Sequence, residues 1–222
     1  MGFSVSFPLP SPRRGVARRL PALSLPALGL PARRLLPAIL VGLLVAACGS
    51  GPAPTTYDLS APRAGGRFGG AVSGQIVVAE PAAIQTLEAE KIIAKDQAGA
   101  VSFIGGGQWA DRLPRLIQAR LIETFENSSK LKAVGRPGER VSPDYVLNTE
   151  IRAFQISSAD GEAVVELSGR LVQDRTGRIV AGRVFSSREP VAKVDAGSAA
   201  QALDAALSRV LLDIVRWAGT GR

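Results

Sequence analysis

The side chains able to do covalent chemistry in this chain are few, and the usual partnerships among them are missing. The 222 residues contain no His and one Cys. Without His there is no Ser-His-Asp or Cys-His catalytic set and no His-ligated metal site. A lone Cys48 excludes an intrachain disulfide and a Cys-only zinc cluster. The Gly105-Gly106-Gly107 run ahead of a helical pattern would suit a phosphate at a helix N-terminus. No Lys-Ser/Thr follows it and no GxGxxG is present, so a flexible loop is the plainer reading. Ser168-Gly169 lacks a G-x-S-x-G elbow. Asp160, Glu162 and Asp174 sit in or beside turns, where solvated carboxylates need no catalytic explanation. Trp109 and Trp217 read as core anchors at helix ends, with a ligand groove as the alternative. No catalytic constellation forms, and neither cofactor nor metal is called for. The reading is a non-enzyme.

The chemistry left to Cys48 is acylation. Arg33-Arg34 is followed by LLPAILVGLLVAA and then by Cys48. Such a segment spans roughly 20 Å as a helix, well short of the ~30 Å hydrocarbon core of a bilayer. A secretory h-region therefore fits better than a transmembrane anchor. Val45-Ala46-Ala47-Cys48 resembles the bacterial lipobox, in which the Cys is acylated and becomes the mature N-terminus. The alternatives are an ordinary signal peptide with an incidental Cys, or a buried apolar helix. The Gly-Ser-Gly-Pro-Ala-Pro tract after Cys48 favours the lipobox, because an acylated protein needs a flexible tether. Residues 1–32, with six Pro, read as an extended leader, consistent with a start codon called too early. In Gram-negative lipoproteins an Asp after the Cys usually retains the protein in the inner membrane. Gly49 points instead to the periplasmic face of the outer membrane.

Charge follows the same division. The chain carries 27 Lys+Arg against 19 Asp+Glu, a formal +8. Residues 1–47 hold six Arg and no acid, leaving 21 basic and 19 acidic groups on the remaining 175 residues. Arg152, Arg170, Arg178 and Arg183 alternate with Glu150, Glu162 and Glu166, a mixed-charge face rather than a basic groove. The aromatic platform that would stack single-stranded bases is missing, so nucleic acid is excluded as a partner.

The expected organisation is a leader and signal peptide (1–47), an acylated Cys with its tether (48–73) and one domain (74–218). GQIVVAE (74–80) is a strand ended by Pro81; residues 82–88 are ambiguous between a helical turn and loop. KIIAKD (91–96) and AVSFIG (100–105) suggest a strand pair. Trp109, Leu113, Leu116, Ile117, Leu121 and Phe125 mark a helical stripe starting near Asp111, with Pro114 in its first turn. Residues 130–190 read as an antiparallel meander with turns at Ser158–Gly161 and Arg175–Gly177. Leu203, Leu207, Val210, Leu211, Ile214 and Trp217 mark a second helix, with Ser198 as its cap and Gly219 as its stop. The fold class expected is α+β: an antiparallel sheet of about five or six strands with two amphipathic helices packed on one face.

A lipobox, Tyr57-x-Leu59 after the tether, Ile76-Val77-Val78, Phe103 and the segment Gln108-Trp109-Ala110-Asp111-Arg112-Leu113-Pro114 appear in that order, followed by the meander and the C-terminal helix. The combination resembles the ABC-type transport auxiliary lipoprotein family, from near residue 56 to 217. The resemblance implies a periplasm-facing lipoprotein that serves transporters carrying a mammalian-cell-entry domain and moves phospholipid or other apolar cargo between membranes. It implies a mammalian-cell-entry protein as partner, membrane attachment through acylated (palmitate-type) Cys48, phospholipid as a second ligand class and a homo-oligomer as an open option. Tyr57, Leu59, Trp109 and Leu113 match the family pattern as structural anchors. Where the family often has an apolar-aromatic stretch with a Tyr-Leu pair, this chain has the plainer PAAIQTLEAEKI (81–92), which does not help a lipid-binding claim. An apolar docking or lipid-facing surface, if present, is expected around Trp109, Leu113, Leu207 and Trp217. Two other readings stay open: a lipid-binding carrier with ligand between helices and sheet, and a structural envelope lipoprotein. A filled core near those four residues favours docking, and an open apolar groove favours carriage.

Overall fold

The computed structural model describes residues 53–63, 74–128, 133–140 and 142–220; the signal segment and Cys48 lie outside them. In chain order the strands are β1 (Thr55–Tyr57), β2 (Gln75–Val78), β3 (Ala82–Ala83), β4 (Lys91–Lys95), β5 (Val101–Trp109), β6 (Ala133–Gly135), β7 (Tyr145–Ser157), β8 (Glu162–Gln173) and β9 (Arg178–Pro190). The helices are α1 (Leu113–Ser128) and α2 (Ala196–Thr220), and a 3-10 turn covers Gln85–Leu87. The sheet takes in Thr55–Tyr57.

The meander forms because three long alternating runs are joined by two tight turns. Gly161 (φ 67°) and Gly177 (φ 66°) take the left-handed conformation those turns need. β7 pairs antiparallel with β8, and β8 with β9. Leu147, Thr149 and Ile151 of β7 face inward, as alternation predicts. A bulge at Arg152 then shifts the register, so the buried residues beyond it are Phe154 and Ile156. One extra residue keeps a thirteen-residue strand pointing its apolar side at the same core.

The expected antiparallel sheet of about five or six strands needs correction. Among the described residues it is a nine-stranded mixed sheet in which five pairings are parallel and three antiparallel. The physical reason lies on the free side of β7. There β2, β3 and β4 lie end to end, opposite Tyr145–Leu147, Glu150–Ile151 and Ile156–Ser157. They are one strand interrupted twice, first at Pro81 and then by the 3-10 turn, and all three pieces run in the direction of β7. β6 adds to β2, and β5 and then β1 add beyond β4. β5 also corrects the glycine reading: Gly105–Gly107 belong to a strand that continues to Trp109, not to a flexible loop.

Both helices bury one stripe against this sheet, and their buried residues and those of the sheet form one contiguous cluster. Leu203, Leu207, Leu211 and Ile214 of α2 are each 0% exposed. Each such side chain contributes about 1.5–3 kcal/mol relative to exposure. Small residues on the same helix (Ala199, Ala200, Ala206, Ala218) let it lie close to β8 and β9. Its cap is not Ser198 but Asp195, whose carboxylate accepts from the Ser198 N–H at 2.8 Å and from its hydroxyl at 3.2 Å. The helix also runs through Gly219 to Thr220.

Candidate functional site

Trp109 closes β5 and is 1% exposed, its ring set edge-on to Phe154 with centroids 5.6 Å apart. Its indole N–H has no hydrogen-bond partner among the described residues, while its backbone N–H donates to the Glu90 carbonyl at 2.7 Å. Leu113 opens α1 and is buried, as is Leu207 in the middle of α2. Trp217 sits in the last turns of α2, 5% exposed and edge-on to Phe185 at 5.4 Å. The four residues enter one filled core. None of them lines either of two surface clefts: one of about 570 Å³ is bounded by Glu80, Asp111, Arg115 and Arg136 among others. A second, of about 260 Å³, lies against Asn148, Glu150 and Arg170.

Glu150, Glu166, Glu162 and Asp160 are spent on local ion pairs. Glu150 meets Arg170 at 3.6 Å and Glu166 meets Arg152 at 3.7 Å. Arg188 meets Glu162 at 3.2 Å and Asp160 at 3.9 Å. Arg183 lies over the Phe185 ring at 5.4 Å. Ser168 donates to Glu150 at 3.4 Å, longer than a nucleophile–base pair, and Glu150 is shared with Arg170. Among the described residues no group of three or more Cys, Asp or Glu is placed to hold a metal ion.

The most closely built feature is the seat of the first strand. β1 lies parallel to β5, Tyr57 opposite Trp109, and the Tyr57 carbonyl accepts from the Ala110 N–H at 2.8 Å. A side chain at Gly107 would stand 2.5 Å from Cβ of Ala196 and 2.8 Å from the Tyr57 ring, so only glycine fits between them. Leu59 is 3% exposed in the core. Arg120 on α1 holds Asp58 at 2.6 Å and Glu123 at 2.7 Å, and Asp204 on α2 accepts from the Ser60 N–H at 2.6 Å. Partial burial pushes the Asp58 carboxyl up, but the hydrogen bonds from Arg120 and from the Leu59 N–H outweigh it and hold the group below its ordinary value. For Arg120 burial acts downward and is outweighed by Asp58 and Glu123, which raise it. Two helices and a strand therefore clamp the segment that follows the tether. Sequence reading singled out Tyr57 and Leu59 but missed Gly107, Arg120 and Asp204; no local signal marks residues whose partners lie so far along the chain.

Comparison with known proteins agrees with this architecture. A crystal structure of protein XCC0632 from Xanthomonas campestris superposes with a TM-score of 0.69 at 27% identity, covering 74% of this chain and 94% of that one. A second crystal structure shares the fold at a TM-score of 0.58 and 16% identity, covering 75% and 99%. The Bradyrhizobium diazoefficiens protein bll6063 is 36% identical over 188 residues, 82% of this chain and 50% of that protein. The chain thus spans about half the length of this curated relative. The family model for the ABC-type transport auxiliary lipoprotein component matches residues 57–215, from Tyr57 in the clamp to Val215 on α2. The chain belongs to that family.

Proposed function

We propose that the protein is a docking subunit, held by acyl chains on Cys48 at the periplasmic face of the outer membrane. Its partner in this reading is the mammalian-cell-entry protein of an ABC transporter that moves lipid between membranes. The observation that carries docking over carriage is the filled core. Trp109, Leu113, Leu207 and Trp217 are all 5% exposed or less, where a carrier would keep an apolar cavity for an acyl chain. The cleft of about 570 Å³ has Glu80, Asp111, Arg115 and Arg136 in its lining, groups that would lose solvation against a hydrocarbon tail. The clamp on residues 57–60 supports the anchored part of the reading, since it fixes the domain firmly to the chain leading from Cys48. The test is crosslinking in intact envelopes with the full acylated chain, followed by identification of the captured protein. Capture of a mammalian-cell-entry protein is the expected result. Repeated failure to capture one, together with stoichiometric uptake of phospholipid by delipidated protein, would replace docking with carriage.

A further inference from the structure

We infer that one end of the sheet rests on the lipid surface, with Phe103, Val101 and Val194 as its apolar contact. This end gathers the β4–β5 tip, the β7–β8 turn and the loop 191–195. The inference rests on the lipid-anchored reading of Cys48 and adds the face that meets the bilayer. Its first support is the direction of the tether. β1 runs parallel to β5 with Thr55 opposite Gly107, so the chain before Thr55 approaches from the side where β5 begins. Its second support is length. Thr55 lies seven positions after Cys48, a reach of at most about 25 Å. Across the hairpin, the four steps from Lys91 to Lys95 on β4 match the whole of Gln108 to Val101 on the bulged β5, about 13 Å at the rise of a strand. A fully extended tether therefore outruns the strand beside it by about 12 Å. An acyl anchor on so short a lead brings the beginning of β5 down to the headgroups.

Three further elements meet at that end. Lys95 pairs with Val101 across the hairpin, and the Ser158 N–H donates to the Lys95 carbonyl at 3.0 Å, joining the β7–β8 turn to the tip. The Val191 N–H donates to the Gly161 carbonyl at 2.8 Å, which places the loop 191–195 beside the same turn. Phe103 is 61% exposed, Val194 60% and Val101 44%, apolar side chains available to a lipid surface. Lys95 and Lys193 are exposed beside them, as suits anionic headgroups. The acids of this end are occupied: Asp96 accepts from the Ala100 N–H, Asp160 from the Ser157 hydroxyl, and Asp195 caps α2.

The full acylated chain offers a direct test, because acylation consumes its one native thiol. Phe103→Cys, Val194→Cys and Ile179→Cys each introduce a single labelling site for a polarity-sensitive fluorophore. Ile179 is 62% exposed but pairs with Val172 at the opposite end of the sheet, so it is the matched control. The labelled proteins are reconstituted in phosphatidylethanolamine–phosphatidylglycerol vesicles carrying a quencher on the lipid tails. Probes at 103 and 194 are expected to shift to the blue and be quenched severalfold more than the probe at 179. Equal quenching at all three positions would overturn the inference. So would protection at 103 that follows protein concentration and not lipid, which would assign the patch to a second copy. A mass measurement on the same samples separates the two levels. An unmodified Cys48 defeats the anchored reading itself, whereas acylated protein with an unquenched probe at 103 defeats only the orientation.

Discussion

Gly107→Ala tests whether the clamp on β1 is as tight as its geometry indicates. The added Cβ would stand 2.5 Å from Cβ of Ala196, at the rigid start of α2, and 2.8 Å from the Tyr57 ring. Neither neighbour is the far end of a flexible chain, so backbone has to move. Overpacking of this kind costs about 1–3 kcal/mol. Ala196→Gly removes one of the two clashing atoms and alone costs about 0.5–1 kcal/mol as a helix glycine. If the clash is shared, the double variant is more stable than the sum of the singles by about 1 kcal/mol. Rescue stays partial because the Tyr57 ring is still in place. Gly105→Ala is the control, since nothing lies within 4 Å of its Cβ position; its effect is expected within about 0.5 kcal/mol. The assay is urea unfolding in detergent, followed by the emission of the two buried Trp. Additive single and double variants, or a Gly105→Ala as costly as Gly107→Ala, would refute the reasoning.

Other parts of the structure make independent predictions. Thr149 is 5% exposed and its hydroxyl has no partner among the described residues; Thr149→Val is expected to stabilise the fold by about 1 kcal/mol, read in the same assay. Leu207→Ala should cost about 2–5 kcal/mol by opening a cavity in the filled core, and a small loss would argue that the core is loose there. The Asp58 carboxyl is held below its ordinary value, so its pairing with Arg120 contributes stability above the unfolded pKa, and that contribution fades as pH falls through the folded value. Asp58→Asn should remove this acid-side dependence while costing no more than about 1 kcal/mol at neutral pH, because the pair is largely solvent-screened. Cys48→Ser is expected to release the protein from the membrane fraction of sedimented envelopes; retention there would contradict acyl anchoring.

The two long helices and the three strands of the meander were legible because each carries its own periodicity over a dozen residues or more. Leu203, Leu207, Leu211 and Trp217 announce one buried side of α2 whatever lies opposite. The strand opposite β7 was not legible as such. Its pieces are four, two and five residues long, and 69 residues separate Gln75 from its Asp144 neighbour. Nothing local distinguishes a parallel from an antiparallel partner at that distance, so a sheet read from turns alone comes out antiparallel. Gly107 shows the same limit for the clamp. In the sequence it reads as loop chemistry, and only Tyr57 and Ala196, brought in from both flanks, show why no side chain fits. Ser198 is a near miss of another kind: the motif was present, but Asp195 three residues earlier supplies the stronger acceptor.

The interrupted strand along β7 also sets an order of events. β2, β3 and β4 have no partner in the meander until Tyr145–Ser157 has been made, whereas β7, β8, β9 and α2 find one another within a short stretch of chain. Contacts of low sequence separation form first, because little loop entropy is lost in closing them. A chain emerging N-terminus first therefore leaves Ile76 and Val78 unpaired until Tyr145–Leu147 has followed, whereas β4 already has β5 as a near neighbour. The strand nearest the anchor is among the last to be seated, and it is the one for which a holding chaperone would matter most.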